Sequence, residues 1–353
     1  MRYVLSSDYH LKMVDPLGIS VDGVNSRLLD RRRLLKDIVN YTIENRADGF
    51  IFLGDIFDKI NPIEKLRTFF IEDVISPLMQ NEIPIILLAG NHDTNYDIVS
   101  FQTEAKLLSS LTKFSSIPIS LIIEPCVIDF GDWSGYFVPY GFNIPTESDG
   151  CEILFGHHGI KEAETGAGVL ERQGEQLEAK DFKAFNTVLL GHYHKPQQIS
   201  YGGKDIWYVG SPGIWDMSER LDKKRFLDIE ITNGSLHKID SIPLNDRKFL
   251  RLDIKEGESW ETTEDIKDAI VQLYFRGSKE WLKSLDFQRI KRNYEELEPH
   301  KVFFDTEAIS KGSKNLINVQ ENVSEDKIIE EYMKKGNFDK ALLPLGLKIF
   351  NET

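Results

Sequence analysis

The ten residues Gly49-Phe50-Ile51-Phe52-Leu53-Gly54-Asp55-Ile56-Phe57-Asp58 constrain this chain more than any other stretch. Four apolar residues run without a charge into Gly54, and two carboxylates follow three residues apart. An apolar run that short, bounded by glycine, predicts a strand buried on both faces, as in a sheet with helices on each side. Asp55 and Asp58 then fall in the loop beyond the strand's C-terminal end, where open α/β sheets place their chemistry.

The pattern recurs. Arg2 to Ser7 leads into Asp8-Tyr9-His10, and Ile85 to Ala89 into Gly90-Asn91-His92-Asp93. Glu152 to Phe155 leads into Gly156-His157-His158, and Thr187 to Leu190 into Gly191-His192-Tyr193-His194. One strand-end Asp or His is ordinarily a turn former or a helix cap. Five in one chain are not, because core packing does not demand a metal-ligand type after every strand. The candidates are Asp8, His10, Asp55, Asn91, His157, His192 and His194: two carboxylates, one amide oxygen and four imidazoles. The absence of thiolate argues against a structural zinc knot and for hard or borderline ions such as manganese, iron or zinc. Seven ligands exceed what one catalytic ion with an open position needs. They suit two ions roughly 3.5–4 Å apart, bridged by one carboxylate, the arrangement used for displacement at phosphorus. Asp55 is the natural bridge, since its strand is expected to be central.

Asp8-x-His10, Gly54-Asp55-x-x-Asp58, Gly90-Asn91-His92-Asp93, Gly156-His157 and Gly191-His192-x-His194 resemble, in order, the five motifs of the calcineurin-like metallophosphoesterases. That resemblance implies an α/β fold of two sheets in an α/β/β/α sandwich. It implies one ion held by Asp8, His10, Asp55 and His194, and a second by Asp55, Asn91, His157 and His192. His92 would be the general acid that protonates the leaving oxygen, and Asp58 would orient its imidazole. His158 stands as either a substrate contact or a packed histidine.

The region Tyr208-Val209-Gly210-Ser211 to Lys224-Arg225-Phe226 resembles SbcD-type nucleases, with Arg225 where that family often has glycine. Protein Ser/Thr phosphatases of the superfamily carry Arg-Gly after the second motif and Gly-Asn-His-Glu as the third. Lys59-Ile60 and Gly90-Asn91-His92-Asp93 stand here instead. The resemblance implies manganese-dependent DNA hydrolysis, exonucleolytic on duplex ends and endonucleolytic on single strands, with magnesium, iron or zinc as alternative cations. It also implies work in repair or recombination beside an SbcC-type coiled-coil ATPase, and a homodimer formed through helices near 63–80 and 100–111. A compact chain of this kind would also suit a phage-encoded member. The alternative is a stand-alone phosphodiesterase or phosphatase on a small molecule.

Charge is the awkward observation. The formal net charge of −14 suits poorly a protein that grips nucleic acid unaided, because phosphate contacts dominate such affinity. The cations and a DNA-binding partner would each relieve this. Cys126 and Cys151 have no paired spacing, so no disulfide framework is indicated. Met1-Arg2-Tyr3-Val4 enters the first strand directly and no apolar run nears the roughly 18 residues of a membrane span, which predicts a cytoplasmic protein without membrane contact.

Arg27 to Val39 reads as an amphipathic helix, whose Arg31-Arg32-Arg33 fits either a phosphate-backbone contact or a solvated face. Ile63 to Gln80 reads as a helix bent or ended by Pro77, and Ser100 to Leu111 as another. Cys126 to Phe130 and Tyr136 to Pro139 read as a hairpin in a second sheet, and Ile160 to Asp181 as a mobile loop beside His157. The composition changes from about Arg247, and Ser310 to Asn322 reads as a linker. The resemblance then implies 1–245 as the phosphoesterase, 246–309 as a small α+β DNA-capping domain, and 310–353 as the linker with ATPase-binding helices. Lys279 to Arg292 reads as a helix with a basic bias. Ile328, Ile329, Tyr332 and Met333 make an apolar stripe that either docks on the ATPase or folds back on the cap.

Overall fold

The computed structural model describes residues 1–93, 118–164 and 177–309. The helix at 100–111, the linker and the terminal helices lie outside the described residues, as does 165–176 of the loop beside His157. The chain divides into two compact units. The first takes Met1–Arg251, Asp265–Gln272 and Glu295–Val302; the second takes Leu252–Glu264, Leu273–Tyr294 and, among the described residues, 303–309.

In chain order the first unit begins with β1 (Arg2–Ser6), the two-residue pair β2 (Ser20–Val21) and β3 (Val24–Asn25), α1 (Ser26–Glu44) and β4 (Gly49–Phe52). Helix α2 (Glu64–Phe70), a π turn over Ile71–Ile75 and α3 (Ser76–Gln80) lead to β5 (Ile85–Leu88) and β6 (Ile119–Ile122). Strands β7 (Cys126–Asp129), β8 (Ser134–Val138), β9 (Ile153–His157), β10 (Thr187–Gly191), β11 (Gln197–Tyr201), β12 (Lys204–Tyr208), β13 (Arg225–Thr232) and β14 (Ser235–Pro243) follow. One six-stranded sheet has the order β14-β13-β1-β4-β5-β6 and the other β11-β12-β10-β9-β8-β7. β1, β4, β5 and β6 run parallel, as do β8, β9, β10 and β12.

Two apolar clusters bury β4 from opposite sides. Phe50 and Phe52 pack with Leu35, Ile38, Val39, Leu66 and Phe70 of the helices. Ile51 and Leu53 pack with Phe137, Ile153, Phe155 and Leu189 of the second sheet. The expected helices on each side are therefore helices on one side and a sheet on the other, the two-sheet α/β sandwich. The expected hairpin is β7–β8, on the second sheet. A third cluster covers that sheet's outer face and includes Ile160, Ala163, Ala179 and Phe182. The described ends of the loop expected to be mobile are thus anchored in core.

Pro77 neither ends nor simply bends its helix. The preceding residues widen into the π turn, where the Ser76 N–H reaches the Ile71 carbonyl, and Pro77 enters at the start of α3. A proline has no N–H to give the ladder, and the wider turn accommodates its ring.

The arginine cluster on α1 divides: Arg31 and Arg32 turn into the protein, and Arg33 lies on the expected solvated face. Arg31 is fully buried: it donates to Asp15 at 3.0 Å and stacks over Trp215 at 4.4 Å. Arg32 donates to Asp73 at 2.9 Å above the Phe69 ring. Arg33 pairs with Asp37 on the same helix at 3.2 Å. Arg27, also fully buried, joins Asp30, the Ile214 carbonyl and the Phe249 ring. A planar guanidinium can stack and fork toward a carboxylate at once, which lets arginine enter a core that a lysine would not tolerate.

A third sheet, β15-β16-β17 (Phe249–Lys255, Ile270–Gly277, Lys301–Ala308), has residues in both units, and the second unit also takes α4 (Lys279–Ser284) and nearly all of α5 (Phe287–Glu295). The single helix expected over 279–292 is broken at Leu285, which is extended. Phe275 meets Phe287 at 5.4 Å and Phe304 at 6.2 Å, forming an aromatic core. Lys279, Lys283, Arg289, Lys291 and Arg292 are exposed. Among the described residues, no helix is long and apolar enough to cross a membrane.

Candidate metal centre

Hydrogen bonding between β1 and β4 continues past their last residues. Asp8 N donates to Gly54 O at 2.9 Å, His10 N to Asp55 O at 3.1 Å, and Leu11 N to Ile56 O at 2.9 Å. The two loops stay zipped while their side chains turn toward one point. This requires left-handed backbone at Asp8, His10, Asp55 and His192, with φ of 56°, 45°, 60° and 94°. Non-glycine residues seldom take such angles, and where they do the surrounding structure must hold them.

The neighbouring loops close in. A Cβ on Gly54 would collide with the His157 ring, and one on Gly90 with the Asp55 carboxylate. His92 N donates to Asp55 Oδ1 at 2.8 Å, and His192 N to Asp8 Oδ1 at 3.1 Å, so each loop rests on a carboxylate of another.

All seven ligand candidates converge. His10 Nε2 lies 2.9 Å from His194 Nε2 and 3.5 Å from Asp55 Oδ2. His157 Nε2 lies 3.4 Å from Asp55 Oδ2 and 3.0 Å from Asn91 Oδ1, and His192 Nδ1 lies 3.0 Å from the same amide oxygen. Asp8, His10 and His194 form one group of donor atoms with metal-holding proximity, and Asp8, Asp55 and His157 another. Ligand atoms about 2.1 Å from a shared cation sit roughly 3.0–3.4 Å from each other, close to these separations.

Proton accounting tests the fit further. His157 Nδ1 lies 2.6 Å from the Leu53 carbonyl, which only accepts, so Nδ1 carries the hydrogen. In the neutral ring, Nε2 then directs a lone pair at two oxygens that also only accept. A positive charge belongs between them. Burial opposes protonation of His157, yet Asp55, its hydrogen bond and Asp8 raise the ring to about 9. Burial would likewise lift the Asp55 carboxyl, but His157, His10 and His92 hold it well below the usual carboxylate range. Burial, and next His194 and His92, push His10 far down despite Asp55, leaving it the neutral imidazole that a cation binds. The donor set therefore fits divalent cations.

His92 and Asp58 meet differently from the expectation. His92 Nδ1 lies 2.9 Å from the main-chain carbonyl of Asp58. The Asp58 carboxylate instead lies 3.5 Å from Lys12 Nζ and 4.0 Å from His10 Nδ1. The zipped loop turns the carbonyl inward, so Asp58 orients His92 through its backbone. His158 is a packed histidine rather than a substrate contact. It is buried, its Nε2 lies 3.2 Å from the Val138 carbonyl, and burial, with His157 and His192 nearby, lowers it to about 3.

A match to the calcineurin-like phosphoesterase family covers residues 1–196, which include every residue of this centre. The chain is a calcineurin-like phosphoesterase. At 24% identity over 284 residues, 73% of each chain, the phosphoesterase is similar to the SbcD component of the nuclease SbcCD from Staphylococcus epidermidis. At 27% identity over 212 residues it is similar to the DNA double-strand break repair protein Mre11 of Sulfurisphaera tokodaii, covering 56% of this chain and 52% of that one. Among solved structures, an archaeal phosphodiesterase aligns over 69% of this chain and 100% of its own at 11% identity, with a TM-score of 0.36.

Three buried groups that support the phosphoesterase's centre escape a reading of spacing. Glu219 Oε1 lies 2.6 Å from His194 Nδ1, and its other oxygen accepts from the Trp215 N–H at 3.0 Å. Burial opposes its ionisation, but His194 and Lys224 hold it down to about 2. Lys224, itself buried, lies 2.8 Å from Glu219 and donates to the His194 carbonyl at 2.9 Å. Trp215 Nε1 donates to the Asp8 carbonyl at 2.8 Å. Asp93, by contrast, stands inside the third motif. It accepts from Asp55 N at 2.7 Å, Ile56 N at 3.1 Å and Gly90 N at 3.0 Å, and burial with Asp55 beside it raises the carboxyl to about 7.

Proposed function

We propose that this phosphoesterase is the nuclease component of an SbcCD-type complex, hydrolysing DNA phosphodiesters with two divalent cations. The observation that carries the reading is the convergence of Asp8, His10, Asp55, Asn91, His157, His192 and His194 beside His92. Asp8, His10, Asp55 and His194 would hold one cation, and Asp55, Asn91, His157 and His192 the other, with manganese the leading candidate. Bound there, such cations polarise a phosphoryl oxygen and lower the pKa of water toward neutrality.

The chain's own groups do the rest. The Asp58 carbonyl accepts a hydrogen bond from His92 Nδ1–H, so that the imidazolium form turns its Nε2–H outward and, on giving that proton to the departing oxygen, becomes the neutral ring with its hydrogen on Nδ1. Glu219 keeps the His194 Nδ1 protonated, so that Nε2 presents its lone pair. Similarity to a component of SbcCD and to a break-repair protein supports the DNA substrate and an SbcC-type ATPase partner. The same reading includes a cap over 246–309, partner-binding helices beyond 310 and a homodimer.

The test is hydrolysis of end-labelled duplex and single-stranded DNA with manganese, with and without a co-expressed SbcC-type ATPase and ATP. Bis-p-nitrophenyl phosphate serves as the simple diester. Cleavage of DNA that grows with the partner is the expected outcome. Diester hydrolysis without DNA cleavage in either condition would overturn the reading in favour of a small-molecule phosphodiesterase.

A further inference from the structure

The centre opens into a cleft of about 390 Å³, whose lining includes the carboxylates Asp15, Asp55, Asp58 and Asp216. Among the described residues of that lining, Lys12 is the one lysine or arginine. Its ammonium lies 3.5 Å from Asp58 and 3.7 Å from Asp15, longer than a close charge-assisted hydrogen bond. Asp15 accepts from Arg31 at 3.0 Å and from the Leu17 N–H at 2.9 Å, so it keeps two shorter partners when Lys12 moves. An ammonium carries three donors, and this one lines the same cleft as His10, partly exposed, at the end of a flexible stem. In a chain of net charge −14, a lysine that is the one lysine or arginine among the described lining residues has a definite use: meeting an anionic substrate next to the metal ligands.

We infer that Lys12 is a phosphate-binding residue of this cleft, contacting a non-bridging oxygen of the substrate strand. The inference rests on the nuclease reading and deepens it. The Asp15 and Asp58 carboxylates keep the ammonium aimed while the cleft is empty, and a substrate phosphate replaces these long contacts with a short one. A point charge on a flexible stem recognises phosphate without reading base sequence.

The experiment compares wild type, Lys12→Ala and Lys12→Arg on a duplex oligonucleotide with manganese across a salt series, with metal affinity measured by calorimetry. Lys12→Ala is expected to lower kcat/KM about tenfold and to flatten its slope against log salt by about 1, with metal affinity unchanged. Lys12→Arg is expected to restore the slope. An unchanged slope in Lys12→Ala, or a loss that tracks weaker metal binding, would overturn the inference and leave Lys12 a brace between two carboxylates. If wild type cleaves bis-p-nitrophenyl phosphate but no DNA, the nuclease reading falls by itself. Lys12 is then judged on the diester: a tenfold loss in Lys12→Ala supports it and no loss overturns it.

Discussion

Left-handed backbone at Asp8, His10, Asp55 and His192 costs on the order of 1–3 kcal/mol at each residue, and no spacing rule could reveal it. The ligand types were legible because cation chemistry restricts them and because a polar ligand type follows each of five apolar runs. Glu219 was not legible, since a partner one layer behind a ligand obeys no spacing and needs only to arrive. Its 2.6 Å contact with His194 fixes that ring's tautomer. Glu219→Gln is expected to weaken metal binding by about 10–100-fold in calorimetry, with Glu219→Asp less affected. His92→Ala is expected to lower hydrolysis by about 10²–10⁴-fold while leaving calorimetric metal binding intact. Retained turnover would refute His92 as the proton donor.

At the scale of elements, short apolar runs announced the strands, but a run does not say which sheet it joins. β1, β4 and β5 lie in one sheet and β9 and β10 in the other, although all five read alike. α1 was legible as a helix, yet its arginines were not, because a sequence cannot show that Asp15, Asp73 and Trp215 come to meet them. Arg31→Met removes one partner of a fully buried pair and is expected to lower unfolding free energy by about 3–5 kcal/mol in denaturant titration. The same pair sets an acid dependence. Burial would raise the Asp15 carboxyl, but Arg31, the Leu17 N–H and Lys12 hold it below the usual range. Folded, it binds fewer protons than unfolded as pH falls. Its contribution is therefore whole above about pH 4 and is lost as pH drops through the lowered folded value. Denaturant midpoints at pH 6 and pH 3 should diverge less in Asp15→Asn than in wild type.

For the whole molecule, the charge of −14 remains the property that most separates this chain from a protein that holds DNA alone. The prediction that belongs here concerns the terminal segment, where the spacing of Ile328, Ile329, Tyr332 and Met333 in the sequence is the ground for proposing an ATPase-binding helix. Deleting 324–353 is expected to leave manganese-dependent diester cleavage within about twofold and to abolish co-purification with the ATPase. Partner binding that survived the deletion would remove the stripe from the interface.

The meeting of loops from both sheets has a consequence for synthesis. His10 and His194 stand 184 residues apart in the chain yet meet at 2.9 Å. During vectorial translation the ribosome therefore releases Asp8, His10, Asp55, Asn91 and His157 as an incomplete set. Only when β10 and the loop after it have emerged can a cation find its full complement of donors. On the proposed reading, a polypeptide that stops before Gly191 lacks His192 and His194, and with them one donor of each cation's set.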